Sequence, residues 1–129
     1  MEDQINCEET LSSISELDYA FQPIVNIHTG TLFGCEALIR NYKEAGFISI
    51  DSIFESAWKQ GNLHHVDIEL RKKALYKFAS IKQNTPLKLF FNIDNRILSS
   101  KDYSCGITVS TLKELDYSSD DICFEISEK

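Results

Sequence analysis

The chain has 129 residues, 43% hydrophobic and 26% charged, the make-up of one globular unit and of neither a low-complexity tract nor a membrane-embedded protein. Its formal net charge of −7 excludes the basic stripe that a nucleic-acid backbone requires. Six acidic and no basic side chains fall within residues 1–18, so the rest of the chain is near neutral and a small anion, held by a metal or by one or two Arg or Lys, stays open.

The opening, MEDQINCEET, is acidic and has no apolar core of a secretory signal. A short amphipathic helix is expected over Glu8–Leu17, with Leu11, Ile14 and Leu17 at three-residue intervals. Two apolar runs, FQPIVNI and TLFGCEALI, flank His28-Thr29-Gly30 and read as two strands joined by a tight turn, where Gly30 takes positive φ at no steric cost. The longest stretch without charge, Tyr19–Cys35, contains Gln, Pro, Asn, His and Gly, so no membrane segment is expected and a cytoplasmic location is the default. Asn41–Ile50 is a polar connection. Ser49 or Asp51 can cap a helix over Ser52–Gln60 with Ile53, Phe54, Ala57 and Trp58 on its buried face, ended by Gly61.

Asp67 is a second candidate cap, for a helix to about Lys82 whose stripe is Leu70, Ala74, Phe78 and Ile81, with Arg71, Lys72, Lys73 and Lys77 outside. His64 and His65 precede it and read as exposed loop histidines, not metal ligands. Asn84-Thr85-Pro86 breaks the helix. Leu87–Ile93 then reads as a strand buried on both faces, with Phe90 and Phe91 in the core. A turn at Arg96–Ser99, a helix near Ser110–Leu115 with Thr108 as an alternative start, and a strand at Ile122–Ile126 complete the chain. Beyond the hairpin, the alternation of strands and helices predicts parallel strands with helical crossovers. The four cysteines, Cys7, Cys35, Cys105 and Cys123, show no CxxC or zinc spacing. Cys35 and Cys123 are expected as small buried apolar residues, without a disulfide.

One residue is out of place. Glu36 lies among Cys35, Ala37, Leu38 and Ile39, where a buried carboxylate needs a metal, a cation or a donor network. On the bare residues, Glu36 and Glu125 also read as paired structural acids, Asn92 as a turn-former and Arg40 as half of a surface ion pair.

Gln22-Pro23-Ile24-Val25, Glu36-Ala37-Leu38-Ile39-Arg40, Phe91-Asn92-Ile93 and Glu125-Ile126-Ser127-Glu128 stand in an order and spacing that resembles EAL domains, the bacterial phosphodiesterases that hydrolyse cyclic di-GMP. The resemblance runs from about Leu17 to Lys129 and covers about the first half of such a domain. It implies an α/β fold: a partial, truncated TIM-like (β/α) barrel of EAL type, about four strands with an antiparallel first strand. Residues 1–17 are then an acidic segment with a short helix, and 18–129 the N-terminal half of the domain. It also implies that Glu36, Asn92 and Glu125 are ligands of Mg²⁺ or Mn²⁺, an all-oxygen set suited to a hard cation. Gln22, Leu38 and Arg40 are implied as substrate-binding residues, and Glu128 as a supporting residue outside the ligands. Asp94-Asn95 departs from the Ser-Pro common after the family asparagine.

The family's further ligands and catalytic groups, an Asp-Asp motif on the strand after Ile122–Ile126, a lysine near the attacking water and a later glutamate and glutamine, are expected to be missing from this chain. The resemblance therefore implies a part of a metal-dependent phosphodiesterase that yields pGpG, with this chain alone inactive. Its open sheet edge is expected to be covered by a second copy or another protein. The alternative is a non-catalytic EAL-like regulator that binds a protein partner or cyclic di-GMP.

Overall fold

A computed structural model of the chain describes residues 12–83, 85–99, 106–115 and 117–126. Glu128, Cys7, Cys105 and the expected start of the first helix lie outside them; residues 12–15 are helical, and Leu17 is not. The strands β1 (Asp18–Val25) and β2 (Leu32–Arg40) form the expected antiparallel hairpin, pairing from Asp18 with Arg40 to Val25 with Leu32. Gly30 turns the chain at φ 69°, and its N–H donates to the Asn26 carbonyl at 2.8 Å. Helices α1 (Ile50–Lys59) and α2 (Leu63–Lys82) lead to β3 (Lys88–Ile93), and α3 (Gly106–Glu114) leads to β4 (Ile122–Ile126). The sheet order is β1-β2-β3-β4, with β2, β3 and β4 parallel. The expected α/β topology is therefore present as an open four-stranded sheet.

Alternation divides the sheet into two unlike faces. On one, Tyr19, Ala37, Ile39, Leu89, Phe91 and Ile93 are buried in a cluster with Val66, Leu70, Ala74 and Phe78 of α2. Phe78 lies 5.1 Å from Phe21 and 6.3 Å from Tyr117, ring centre to ring centre. The Tyr117 hydroxyl donates to the Leu87 carbonyl at 3.1 Å, which ties the approach to β4 to the start of β3. The other face carries Gln22, Glu36, Arg40, Phe90, Asn92 and Cys123, all half-buried or exposed. This corrects two expectations. Strand β3 is buried on one face only, in the pattern of alternating buried and open residues, and Cys123 is exposed while Cys35 is buried. The apolar run LKLFFNI reads as doubly buried because Phe90 is apolar, yet α2 packs on one side alone.

Helix α1 begins as expected at a Ser49 cap. The Ser49 hydroxyl accepts from the Ser52 N–H and the Ser52 hydroxyl accepts from the Ser49 N–H, both at 3.1 Å. Helix α2 does not begin at Asp67. Leu63 and Val66 extend the buried stripe by one turn, so the N-cap position is Asn62, five residues before Asp67, and the helix takes His64 and His65 into its first turn. Asp67 is then free to turn inward, where it forms a buried ion pair with Arg71 one turn on. Arg71, expected outside, is 8% exposed, with its guanidinium 4.8 Å from the centre of the Phe124 ring. Two other stripe residues are open: Ile81, in the last turn, is 56% exposed, and Trp58 is 47% exposed beneath the Arg96 guanidinium. The turn expected at Arg96–Ser99 is a 3₁₀ helix, Asn95–Ser99.

Candidate functional site

Every described residue singled out for chemistry lies on the face that the helices leave open. Gln22 pairs with Glu36 across β1 and β2. Glu36 is level with Phe90 on β3, and Phe90 with Cys123 on β4. One pleat further on, Asn92 pairs with Glu125. Glu36 is therefore mid-strand, one pleat short of the Asn92–Glu125 level and not at the strand's C-terminal end. The cause is the length of β2, which pairs with β1 as far as Arg40.

The side chains close that gap. The Glu125 carboxyl is held above its ordinary pKa, first by burial, then by the charge of Glu36 and by a hydrogen bond with it. Two carboxylates in contact need a shared proton or a cation between them. With the Asn92 amide level with Glu125, the donor set is two carboxylates and an amide oxygen, with no thiolate or imidazole. That chemistry fits a hard divalent ion. Among the described residues no three His, Cys, Asp or Glu side chains gather at one point, so the amide is needed for a third protein ligand.

A cavity of about 330 Å³ opens at the C-terminal ends of β2 and β3, beside α1. Leu38, Arg40 and Asn92 line it, together with Ile50, Asp51 and Phe54 from the start of α1 and with Asp94 beyond β3. Arg40 is exposed, and among the described residues it makes no ion pair; one of its Nη atoms donates to the Ile39 carbonyl at 3.0 Å. Its guanidinium is thus available to an anion. Gln22, Glu36 and Glu125 are not part of the cavity wall. The predicted residues form two adjoining groups, a carboxylate pair over β3 and an Arg-bearing cavity, with Asn92 at the junction.

Two features carried no usable signal. The antiparallel pairing of β1 with β2 is irregular between Ile24 and Val25: Ile24 faces Gly34 and Val25 faces Leu32, which leaves Phe33 as an extra residue. Phe33 thereby reaches Phe90, with ring centres 6.0 Å apart. The ion cluster of Asp94, Arg96 and Glu55 is likewise not legible in the sequence. Its only local sign is an Asp two residues before an Arg, which suits an Asx turn and is common.

The sequence model of the EAL domain family matches residues 7–129. The chain is 30% identical over 120 residues to the Probable cyclic di-GMP phosphodiesterase PdeI of Escherichia coli (strain K12), spanning 89% of this chain and 15% of that protein. Among solved structures, it is similar to the cGMP-bound form of the EAL enzyme Bd1971, with TM-score 0.75 and 22% identity over 98% of this chain and 37% of that one. It is also similar to the PaMucR phosphodiesterase in its c-di-GMP complex, at TM-score 0.69, 18% identity, 88% and 48%. A standalone EAL protein from Vibrio cholerae O395, in its c-di-GMP bound form, matches at TM-score 0.61, 24% identity, 85% and 44%. The chain thus spans less than half the length of each of these relatives.

Proposed function

The chain belongs to the EAL domain family, and on that premise we propose that it supplies part of the site of a metal-dependent phosphodiesterase that hydrolyses cyclic di-GMP to pGpG. The observation that carries the reading is the gathering of Gln22, Glu36, Asn92 and Glu125 on the helix-free face, beside a cavity that presents Arg40. In this proposal Glu36, Asn92 and Glu125 hold Mg²⁺ or Mn²⁺. When bound, such an ion polarises the phosphodiester and brings a coordinated water toward deprotonation near neutral pH.

The remaining roles belong to the chain's own side chains. Arg40 offers a planar fork of donors matched to two phosphate oxygens. Gln22 carries both a donor and an acceptor and contacts the guanine or phosphate region. Leu38 packs beside the ligand. Glu125, held above its ordinary pKa first by burial and then by the charge of Glu36, would share a bound cation with that neighbour. Glu128 supports the site from outside the ligands. No described helix is long and apolar enough to cross a membrane, and we place the protein in the cytoplasm. Nothing among the described residues favours the non-catalytic alternative.

Calorimetric titration of the chain with cyclic di-GMP in the presence of Mn²⁺ tests the reading. Binding is expected, and Arg40→Ala and Glu36→Ala should each abolish it or weaken it by at least about tenfold, the loss of one charge-assisted contact of about 1.4 kcal/mol or more. Unchanged affinity in both variants would remove the site from this face.

A further inference from the structure

Helix α1 lends the cavity two side chains that the proposed roles leave without a task. Asp51 and Phe54 both line it, and at that spacing on a helix they share one face. Phe54 is half-buried against the core, and Asp51 is exposed. Tyr19, Leu38 and Phe91 add apolar wall, and Arg40 adds a cation.

The volume limits what enters. The cavity's 330 Å³ stands near the low end of small-ligand pockets, which run from about 300 to 1,000 Å³. It suits one base with its sugar, not both halves of a cyclic dinucleotide. An apolar slot with an aromatic side chain and a few polar groups takes up a nucleobase by stacking on its face and bonding to its edge.

The edge is where the lining discriminates. Guanine presents two adjacent donors, N1–H and the N2 amino group, and one carboxylate accepts both. Adenine presents a donor beside an acceptor, which a carboxylate matches only in part. The described lining holds two carboxylates, those of Asp51 and Asp94. The oxygens of Asp94 already accept from the backbone N–H, Nε and Nη2 of Arg96, at 2.8–3.0 Å. Asp51 is exposed, so beside its contacts within the protein it keeps room for incoming donors.

We propose that Asp51 sets the base specificity of this site: one base of the ligand enters the cavity beside Phe54, and the Asp51 carboxylate accepts from N1–H and N2–H of guanine. Arg40, in the same lining, takes the adjoining phosphate. Glu36 and Glu125 lie outside the cavity wall, so base recognition and the carboxylate pair use different surfaces. The inference rests on the reading of the site as one for cyclic di-GMP and adds the side chain that tells guanine from adenine.

The test is calorimetric titration of the full chain, with Mn²⁺ present, against cyclic di-GMP and against cyclic di-AMP, which shares the sugar–phosphate ring. Wild type should prefer the guanine ligand by at least about tenfold, the worth of one hydrogen bond to a charged group. Asp51→Asn turns one acceptor into a donor, so it should remove that preference: cyclic di-GMP weakens and cyclic di-AMP does not. Asp51→Ser carries the same comparison where Asp51→Asn does not fold. Phe54→Leu should weaken both ligands alike, because an aromatic face stacks on any base. An Asp51 variant that keeps the wild-type preference would overturn the inference, and so would one that loses both ligands equally, the mark of a contact to the sugar or of a structural role. Wild type that binds both ligands equally would overturn it too, while leaving the phosphodiester site in place. Wild type that binds neither would instead sink the reading of the site, and the inference with it.

Discussion

At the scale of single residues, the open face depends on how closely β2 and β3 approach. A Cβ at Gly34 would lie 2.4 Å from the Lys88 carbonyl oxygen, so this position excludes every side chain. Gly34 pairs with Lys88 at the start of the β2–β3 ladder, two residues before Glu36. Gly34→Ala is expected to destabilise the fold by about 1–3 kcal/mol, the range for forcing atoms into a filled site. Urea denaturation measures it, and an unchanged midpoint would show that the strands part there at no cost. Glu36 shows what one residue can reveal alone. A carboxylate inside CEALI is costly enough to mark a site, but only the register shows that it meets Glu125 from one pleat away.

At the scale of elements, the two long helices contrast. Helix α1 is legible because its stop and start are local chemistry: a reciprocal serine cap at Ser49 and a glycine, Gly61, at φ 73°. Helix α2 has no side-chain cap, so an aspartate four residues into it looks like a start. Burial pushes the Asp67 carboxyl up to about 6, against the opposing pull of Arg71 and His64. Because the folded-state pKa lies above the unfolded value, the folded state holds more protons between about pH 4 and 6, and stability from this group falls as pH rises through that window. Asp67→Asn should lose that part of the pH dependence in thermal melts across pH 4–6. It should also lower stability at neutral pH, since Arg71 keeps its burial and loses its charged partner. A variant whose melting temperature retains the full wild-type pH slope would show that Asp67 titrates normally.

At the scale of the whole molecule, the sheet has two described edges, β1 and β4. Strand β4 carries Phe124 and Ile126 at 38% and 53% exposure on the face that is buried elsewhere in the sheet. Among the described residues no strand pairs with the outer side of β4; an apolar edge of this kind invites another strand, and we propose a second copy of this chain as its partner. Light scattering should give twice the monomer mass, and Ile126→Lys should return the protein to a monomer. A monodisperse wild-type monomer at high concentration would count against it. The sequence by itself determined the order of strands and helices, the hairpin, the cap of α1 and the identity of the candidate ligands, because turn chemistry, apolar periodicity and a misplaced carboxylate are local properties. Tertiary structure alone decided which face of β3 is buried, that Asp67 and Arg71 turn inward, and that Asp94 and Arg96 bind α1. Those outcomes depend on which side of the sheet α2 covers, a long-range choice that no window of residues contains.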